Sequence, residues 1–600
     1  MAKERSEVAI EDKWNVEALF STLEEWEKEF SALKEESDKK WPELTKFIGK
    51  LGESAAALKN ALDKQLDYSR SLSKLITYAQ LRHDEDLANE KYKNAYDRIT
   101  SLYYDFMHQS AWVEPEILAI SEEKINKFLQ DSILQKYKFF LEKIIQLKPH
   151  FLDREKEQLL SLAAKPLETA NQAFSLLNNA DIKFPNVVNE KGESLELTHG
   201  QYGAYMQSQD RVLRKDTFFK LHETYASFEN TICELLNGEI QTRIFHAKAR
   251  KYPSTLEAAL FPHQIDTKVY LSLIETVRKN LEQHHNYVRL RKKALGYEEI
   301  HFYDMYNPIV PSIEMKFSFQ EAVDLVLESL TPLGKEYQEF AEKGIKQQRW
   351  IDRFENKRKR SGAYSGGCYD SMPYILLNYK GYLRDVMTLT HELGHSMHSF
   401  YSRKKQPFHY SHYSIFVAEV ASTFHEELLF RHLLNKVKSE EEKAFLINQK
   451  IDDIRATFFR QSMFAEFEKI LHELGEKNVP LIPGTLKEQY KQLNMAYFGK
   501  EFSFDEILSV EFMRIPHFYY NFYVYQYATG ISASFALVQK VLAEGEESRQ
   551  KYIDFLSSGG SDYPLEILRR AGVDMTKPQT FELLLKNFGD LTNQLESMLV

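Results

Sequence analysis

Apolar residues recur at helical spacing through most of the chain. The pattern runs through residues 16–176, resumes over residues 201–295, and is found again over residues 318–343. A repeat of three to four residues places the apolar side chains on one face of a helix and leaves the charged residues on the other. The pattern predicts a mainly α-helical protein whose first part is built from antiparallel helical hairpins.

Two stretches break this pattern and predict short strands. Residues 183–199 combine a β-branched pair with Pro, Asn and Gly, which is typical of a short hairpin. Residues 358–379, with the sequence RKRSGAYSGGCYDSMPYILLNY, predict two short strands around a glycine-rich turn. The second stretch therefore predicts a small β-sheet immediately before the helix described next.

The segment HELGHSMHS, which begins at His391, predicts a metal site on a helix. One side of this helix is apolar: Val386, Leu389, Leu393, Met397 and Phe400. The opposite side, about 180° away, is polar: Thr388, His391, His395 and His398. His391 and His395 share one face, so both can bind one ion. Glu392 lies about 80° round from them, beside the ion but not on it, where a general base acts on water that the metal activates.

A zinc hydrolase commonly uses three protein ligands and leaves one position for water. The pattern HExxHxxGxxH is excluded, because His398 and Tyr401 stand where its Gly and third His belong. A carboxylate on the following helical segment, residues 414–434, is the other option, and Glu419 is the predicted third ligand. Glu426 lies on the same face, where it either bonds to a ligand His or is a surface acid. Four nearby histidines are interpreted as polar or exposed side chains rather than ligands: His398, His409, His412 and His425.

Residues 514–532, RIPHFYYNFYVYQYATGIS, predict an aromatic helix. On a helical wheel one side carries the following residues, with Tyr523 at its edge: His517, Tyr520, Val524 and Tyr527. Phenol and imidazole groups on one face can donate hydrogen bonds to an oxyanion or a peptide carbonyl. The alternative is a buried aromatic helix whose hydroxyls bond to the backbone. The metal motif upstream favours the first interpretation, so His517, Tyr520 and Tyr527 are candidate catalytic residues.

Composition and charge narrow the possible classes of protein. The 600 residues are 43% hydrophobic and 28% charged, so the chain can bury a large core. Its net charge of −10 is spread along the chain, which excludes a nucleic-acid footprint. Only Cys233 and Cys368 are present, and no apolar run approaches the roughly 20 residues that span a bilayer. With no apolar signal segment at the charged N-terminus, we expect a cytoplasmic protein that is not bound to a membrane.

Taken together, these motifs resemble the oligoendopeptidase F family of thimet-oligopeptidase-like zinc metallopeptidases. The similarity extends over most of the chain through these segments: KWNVEALFST (13–22), FSLLNNADIKFP (174–185), SGAYSGG (361–367), HELGHSMHS (391–399), FVAEVAST (416–423) and PHFYYNFYVYQYATG (516–530). The resemblance implies a two-lobed helical zinc-peptidase fold with a deep substrate channel. It implies zinc ligands at His391, His395 and Glu419, and a general base at Glu392. It also implies that SGAYSGG is an edge strand that pairs with a peptide backbone.

We predict an N-terminal helical region in residues 1–200 and a catalytic region in residues 201–600, with one Zn²⁺ per chain. The leading hypothesis is a zinc endopeptidase that hydrolyses internal bonds of short unstructured oligopeptides. A zinc carboxypeptidase, which trims from a free C-terminus, is the nearest alternative. A non-catalytic helical protein that sequesters peptides is another, but the intact Glu392 argues against it, because a purely structural metal site needs no base.

Overall fold

The computed structural model describes residues 2–311 and 313–599, apart from the side chain at position 154. Helices make up 71% of the chain, and only small sheets accompany them. The mainly α-helical prediction is confirmed. Among the described residues, none of the helices combines the length and the apolar character that crossing a bilayer requires.

Most of the α-helices before residue 300 follow one another through short connections, and residues 177–198, between α9 and α10, form the longest connection. In chain order they are α1 (Leu23–Asp38), α2 (Pro42–Thr45), α3 (Ala55–Glu85), α4 (Glu90–Ser110), α5 (Val113–Ala119), α6 (Glu122–Gln130), α7 (Lys138–Ile145), α8 (Arg154–Leu167), α9 (Thr169–Leu176), α10 (His199–Met206), α11 (Arg211–Ala226), α12 (Glu229–Ala249), α13 (Thr255–Leu260), α14 (Thr267–Lys279) and α15 (Leu281–Leu295).

The second half of the chain carries the remaining α-helices and most of the strands. The helices are α16 (Phe319–Ser329), α17 (Lys335–Glu342), α18 (Leu383–Lys405), α19 (Ile415–Lys436), α20 (Glu440–Ile454), α21 (Arg460–Glu476), α22 (Pro483–Phe498), α23 (Tyr525–Glu544), α24 (Glu546–Ser557), α25 (Pro564–Arg570) and α26 (Gln579–Leu599). The strands are β1 (Val187–Val188), β2 (Ser194–Leu195), β3 (Ile351–Asp352), β4 (Tyr364–Gly366) and β5 (Tyr374–Leu376).

The strands form two small sheets. The predicted hairpin is present as the antiparallel pair β1 and β2. The predicted strands before the metal helix are present as the antiparallel pair β4 and β5. β3, which the sequence pattern did not indicate, pairs in parallel with β5 and gives the order β3-β5-β4. β4 is therefore an edge strand of this sheet.

The chain folds into two compact units, each built from three segments. The first unit comprises Met1–Pro149, Glu314–His432 and Leu537–Gly572. The second comprises His150–Ile313, Leu433–Ala536 and Val573–Val600. The predicted division at residue 200 stays a prediction about functional regions, because the two compact units are not divided at that residue.

A hydrophobic core ties the three-stranded sheet into the first unit. Tyr374 and Leu376 of β5 pack in one buried cluster with Trp14 and Trp26 from the start of the chain. Burying a large apolar side chain contributes about 1.5–3 kcal/mol. These contacts hold β5 in place, and β4 is positioned by its pairing with β5.

The helix predicted over residues 318–343 is two helices, α16 and α17. A 3₁₀ turn at Thr331–Leu333 and Gly334, with φ of +87°, separate them. Pro332 removes a backbone donor, and the conformation of Gly334 is one that side chains rarely permit. The continuous-helix prediction was wrong because these two residues end the helix within an otherwise uninterrupted apolar pattern.

Candidate metal centre and active site

The helix that carries the metal motif, α18, begins where its first turn is capped by a carboxylate. Asp385 Oδ2 accepts hydrogen bonds from the backbone N–H groups of Lys380 and Tyr382, both at 3.0 Å. A carboxylate in this position satisfies donors that the helix itself leaves free. The predicted apolar side is buried at the following residues: Val386, Leu389, Leu393 and Met397. The helix therefore packs on one side and carries the candidate ligands His391 and His395 on the other.

The structure brings His391, His395 and Glu419 together, as predicted. His391 Nε2 and His395 Nε2 are 3.1 Å apart. Glu419 Oε2 lies 3.5 Å from His391 Nε2 and 3.7 Å from His395 Nε2. Among the described residues, this is the one group of histidine, cysteine and acidic side chains whose geometry suits a metal ion.

Gly394 brings the two helices of the site into close contact. A Cβ atom at this position would lie 2.6 Å from Ser422 Cα and 2.7 Å from the carbonyl oxygen of Ala421. Both neighbours belong to the backbone of α19, so neither can yield as a flexible side chain does. The absence of a side chain at Gly394 therefore permits the approach that places Glu419 beside the histidines.

Both histidine rings are oriented by hydrogen bonds. His391 Nδ1 lies 2.9 Å from Glu426 Oε1, which is the first of the two alternatives considered for Glu426, and the ring of His395 bonds to the backbone of Ala418. Burial alone would lower the pKa of His391, but its bond to Glu426 and the neighbouring carboxylates raise the pKa to about 9. Burial and the adjacent His391 lower the pKa of His395 to about 4. The Nδ1 contact leaves Nε2 of His391 facing the position that the three candidate ligands share.

Glu392 is buried beside this group, with 8% of its surface exposed. Its carboxylate forms a hydrogen bond with the backbone of Ser365 in β4. Burial raises the pKa of Glu392, an effect that the nearby His391 partly offsets. A raised pKa makes this carboxylate a stronger base, which favours the transfer of a proton from water to it.

The four neighbouring histidines, interpreted as polar or exposed side chains, lie outside the candidate ligand set, and two of them are buried. His398 is buried and stacks on Tyr413 with ring centroids 3.6 Å apart. His425 is also buried, and its Nε2 lies 2.7 Å from the Tyr337 hydroxyl. Phe555 of α24 also covers His398, with ring centroids 5.3 Å apart. His412 is exposed, as predicted.

The predicted aromatic helix over residues 514–532 is broken, and this prediction was wrong. A 3₁₀ turn at Pro516–Tyr519 is followed by Asn521 and Phe522 with φ of +48° and +57°, and α23 begins only at Tyr525. Glu468 Oε1 in α21 accepts the Phe522 backbone N–H at 2.6 Å. Tertiary contacts with the buried Glu468 therefore hold a left-handed turn that non-glycine residues rarely adopt.

The candidate aromatic residues nevertheless cluster within the second unit. His517 Nε2 lies 3.3 Å from the Tyr527 hydroxyl, and the ring of His517 lies 5.7 Å from that of Tyr520. The ring centroids of Tyr523 and Tyr527 are 5.5 Å apart. Val524, placed on the same face by the helical wheel, is fully buried instead. Burial and, to a smaller extent, Arg460 lower the pKa of His517, which favours the neutral form of its imidazole.

Two contributions to the site were not found by sequence reasoning. One is Ser365, whose backbone bonds to Glu392. The Ser365 hydroxyl lies 2.8 Å from the Ser396 hydroxyl. The other is the close helix approach at Gly394. A glycine inside a helical pattern costs stability, so its presence in the HELGH motif was a usable signal for such an approach.

Replacing Gly394 with Ala should weaken metal binding about 10- to 100-fold, as displaced supporting groups commonly do. The added methyl group must push α19, and Glu419 with it, away from the histidines. Metal content after dialysis against a weak chelator measures the effect. The matched control is Gly203→Ala in α10, where a Cβ meets no atom within 4 Å. Unchanged metal affinity in Gly394→Ala would show that the two helices tolerate separation.

Comparisons with known proteins show the family of this chain. The model for peptidase family M3 matches residues 204–586, and a model described as oligopeptidase F matches residues 116–184. Oligopeptidase PepF of Bacillus subtilis is 43% identical over 598 residues, which cover 100% of this chain and 88% of that protein. Group B oligopeptidase PepB of Streptococcus agalactiae is 37% identical over 599 residues, which cover 100% of this chain and 99% of that protein.

Solved structures give the same result. Oligoendopeptidase-F from Enterococcus faecium superposes with a TM-score of 0.73 and 34% identity, covering 96% of this chain and 99% of that one. A Chlamydophila abortus protein assigned as a peptidase superposes with a TM-score of 0.96 and 41% identity over 100% of both chains. The chain therefore belongs to peptidase family M3, in its oligoendopeptidase F group of metalloendopeptidases.

Proposed function

We propose that this chain is a zinc endopeptidase that cleaves internal bonds of short unstructured oligopeptides, with zinc held by His391, His395 and Glu419. The triangle of candidate ligand atoms carries this proposal. Zinc bonds of 2.0–2.2 Å in tetrahedral geometry set ligand atoms about 3.3 Å apart. The separations of 3.1, 3.5 and 3.7 Å match that value. Two imidazoles and a carboxylate are also the donor types that zinc hydrolases use.

When bound, zinc supplies a Lewis acid that polarises the scissile carbonyl and makes a water molecule more acidic. The proton chemistry then belongs to Glu392. Its carboxylate takes a proton from the attacking water and delivers it to the nitrogen of the leaving amine. The hydrogen bond from Ser365 fixes the orientation of this carboxylate, and Glu426 fixes the ring of His391. Positioning of this kind lowers the entropy cost of reaching the transition state.

The aromatic cluster supplies hydrogen-bond donors in this proposal. We assign His517, Tyr520 and Tyr527 to the stabilisation of the negative charge that develops on the peptide carbonyl oxygen. A neutral imidazole and phenol hydroxyls can each donate one hydrogen bond to such an oxygen. The contact between His517 and Tyr527 supports the assignment, because it joins the two side chains in one polar group.

Replacing Tyr520 or Tyr527 with Phe, or His517 with Ala, should lower kcat by about 10- to 10³-fold with little change in KM or melting temperature. The hydrogen bond to the carbonyl oxygen is made chiefly in the transition state, so its loss has little effect on substrate binding. Tyr519→Phe is the matched control, since this buried neighbour stacks on Phe174 at 4.1 Å outside the cluster. Variants that lose about 1–3 kcal/mol of stability but keep kcat would return the cluster to a packing role.

The substrate class and the location are also part of the proposal. The relatives named oligopeptidases support short peptides as substrates, and the edge strand β4 offers a free backbone edge for an extended chain. Cys233 and Cys368 are both buried and unpaired, in agreement with a reducing compartment, and we propose a cytoplasmic location.

Incubation with end-blocked peptides of increasing length, with and without a chelator, tests the function. Mass spectrometry of the products should show internal cleavage that the chelator abolishes and added Zn²⁺ restores. A blocked C-terminus excludes a carboxypeptidase, so cleavage confined to peptides with free C-termini would favour that alternative. Binding without any cleavage would favour a sequestering protein.

A further inference from the structure

A cavity of about 530 Å³ lies in the first unit, where β4 begins and α18 starts. Its lining includes Gly362, Ala363, Asn378, Tyr382, Arg384 and Thr388. None of these residues has a part in the chemistry proposed above. The cavity has the size of a pocket for one or two side chains of a bound peptide.

The cavity lies on the metal-ligand face of α18. Arg384, Thr388 and His391 follow at intervals of four and three residues, which places them on one face of a helix. At 1.5 Å per residue, Arg384 stands about 10 Å along the helix axis from His391. An extended peptide advances about 3.3 Å per residue. The distance from His391 to Arg384 along the helix therefore equals the length of about three residues of an extended substrate.

Lys380, which precedes α18, and Arg384 both line this cavity, and Arg384 is the one on the metal-ligand face of the helix. Its side chain is exposed, and within the described part of the chain no carboxylate forms an ion pair with it. Asp385, the acid next to it, uses Oδ2 to cap α18. Lys316, which lies 5.7 Å above the Tyr382 ring, is paired with Glu314 at 3.0 Å. The cavity thus presents a positive charge with free hydrogen-bond donors.

The edge strand gives the direction of a bound peptide. The backbone of Ser365 bonds to Glu392 rather than to β5, so Glu392 lies at the free edge of β4, and the cavity lies at the N-terminal end of that strand. Antiparallel pairing is the commoner arrangement of neighbouring strands. A peptide that runs antiparallel to β4 passes Glu392 first and reaches the cavity with its C-terminal side.

We propose that this cavity is a subsite for a carboxylate located about three residues to the C-terminal side of the cleaved bond, and that Arg384 binds it. The carboxylate belongs either to an Asp or Glu side chain or to the free C-terminus of the peptide. Arginine suits both, because its planar fork matches the two oxygens of a carboxylate. The inference rests on the proposed peptidase function and determines which oligopeptides are preferred.

The test uses a matched series of peptides with one cleavable bond. In the first pair of peptides both ends are blocked, and the third residue after the cleavable bond is Glu or Gln. In the second pair the peptide ends at that third residue, with either a free C-terminal carboxylate or a C-terminal amide. Wild-type kcat/KM should be about three- to tenfold higher for each carboxylate form, mainly through KM. Added salt should reduce this preference, because the pair is exposed to solvent.

Two variants locate the preference. Arg384→Met should abolish the ratio between the Glu and Gln peptides, and Arg384→Lys should retain part of it. Lys335→Met, which removes an exposed cation of α17 elsewhere in the first unit, should leave the ratio unchanged. The inference is overturned if the wild-type protein shows no preference, or if Arg384→Met keeps it. Cleavage of the neutral blocked peptides separates this outcome from a failure of the peptidase function itself.

Discussion

Glu392→Gln is expected to retain stoichiometric zinc and to lower kcat by several orders of magnitude. The side chain of Glu392 is not one of the three grouped ligand atoms, so the metal site stays intact. Glutamine keeps the size and the hydrogen-bond acceptor facing Ser365, but it cannot take a proton from water. Metal analysis, kcat on an end-blocked peptide and thermal unfolding together measure the result.

The comparison variant is Glu426→Gln, which alters the partner of His391 without touching the base. Loss of such a supporting carboxylate typically costs 10- to 100-fold in metal affinity or activity. The two variants should therefore respond differently to added zinc. Glu392→Gln stays inactive at saturating zinc, whereas Glu426→Gln recovers part of its activity. Near-normal turnover by a zinc-loaded Glu392→Gln protein would remove Glu392 from the role of base.

Glu419→Ala should lose most of its bound zinc during purification and, with it, its activity. Two imidazoles hold the ion less tightly than three protein ligands, and the substitution removes the carboxylate that completes the triangle. Zinc content after dialysis against a weak chelator measures the loss. Added zinc should restore only part of the activity, because the remaining ligands leave the geometry incomplete.

Glu339→Ala is a suitable control, since this glutamate of α17 is 63% exposed and belongs to the same unit. It should keep the zinc content of the wild-type protein. If Glu419→Ala also keeps one zinc per chain, another residue is the third ligand, and the assignment from helical spacing is wrong. Thermal unfolding of the apo and zinc-loaded forms provides an independent readout, because an ion bound only by the folded state stabilises it.

The local predictions were confirmed where one helix contains all the residues concerned. His391 and His395 face the same side of α18, and on the other side every predicted apolar residue except the half-buried Phe400 is buried. The same reasoning placed Glu419 and Glu426 on one face of α19, and both contact the site. Helical geometry repeats every 3.6 residues, so spacing alone is enough to determine which side chains share a face.

Two other features were missed because a distant segment intervenes. The aromatic segment has the pattern of one helix, yet Glu468, 54 positions earlier, bonds to the backbone of Phe522 and holds the left-handed turn. Likewise, β3 forms because Ile351 and Asp352 meet the partner strand β5, which no local pattern of two residues can indicate. Such contacts depend on how elements pack, and packing is not encoded in the spacing of neighbouring residues.

The sequence by itself determined the helical class, the metal-motif helix and the identity of the candidate ligands, because each follows from short-range periodicity and the chemistry of side chains. Only the tertiary structure decided how closely the ligands approach one another. That approach depends on the contact of Gly394 with the backbone of α19. The tertiary structure also decided the environment of Glu392, whose pKa is raised by burial and whose carboxylate bonds to Ser365. Distances and burial arise from the packing of segments far apart in the chain, and so they exist only in the folded protein.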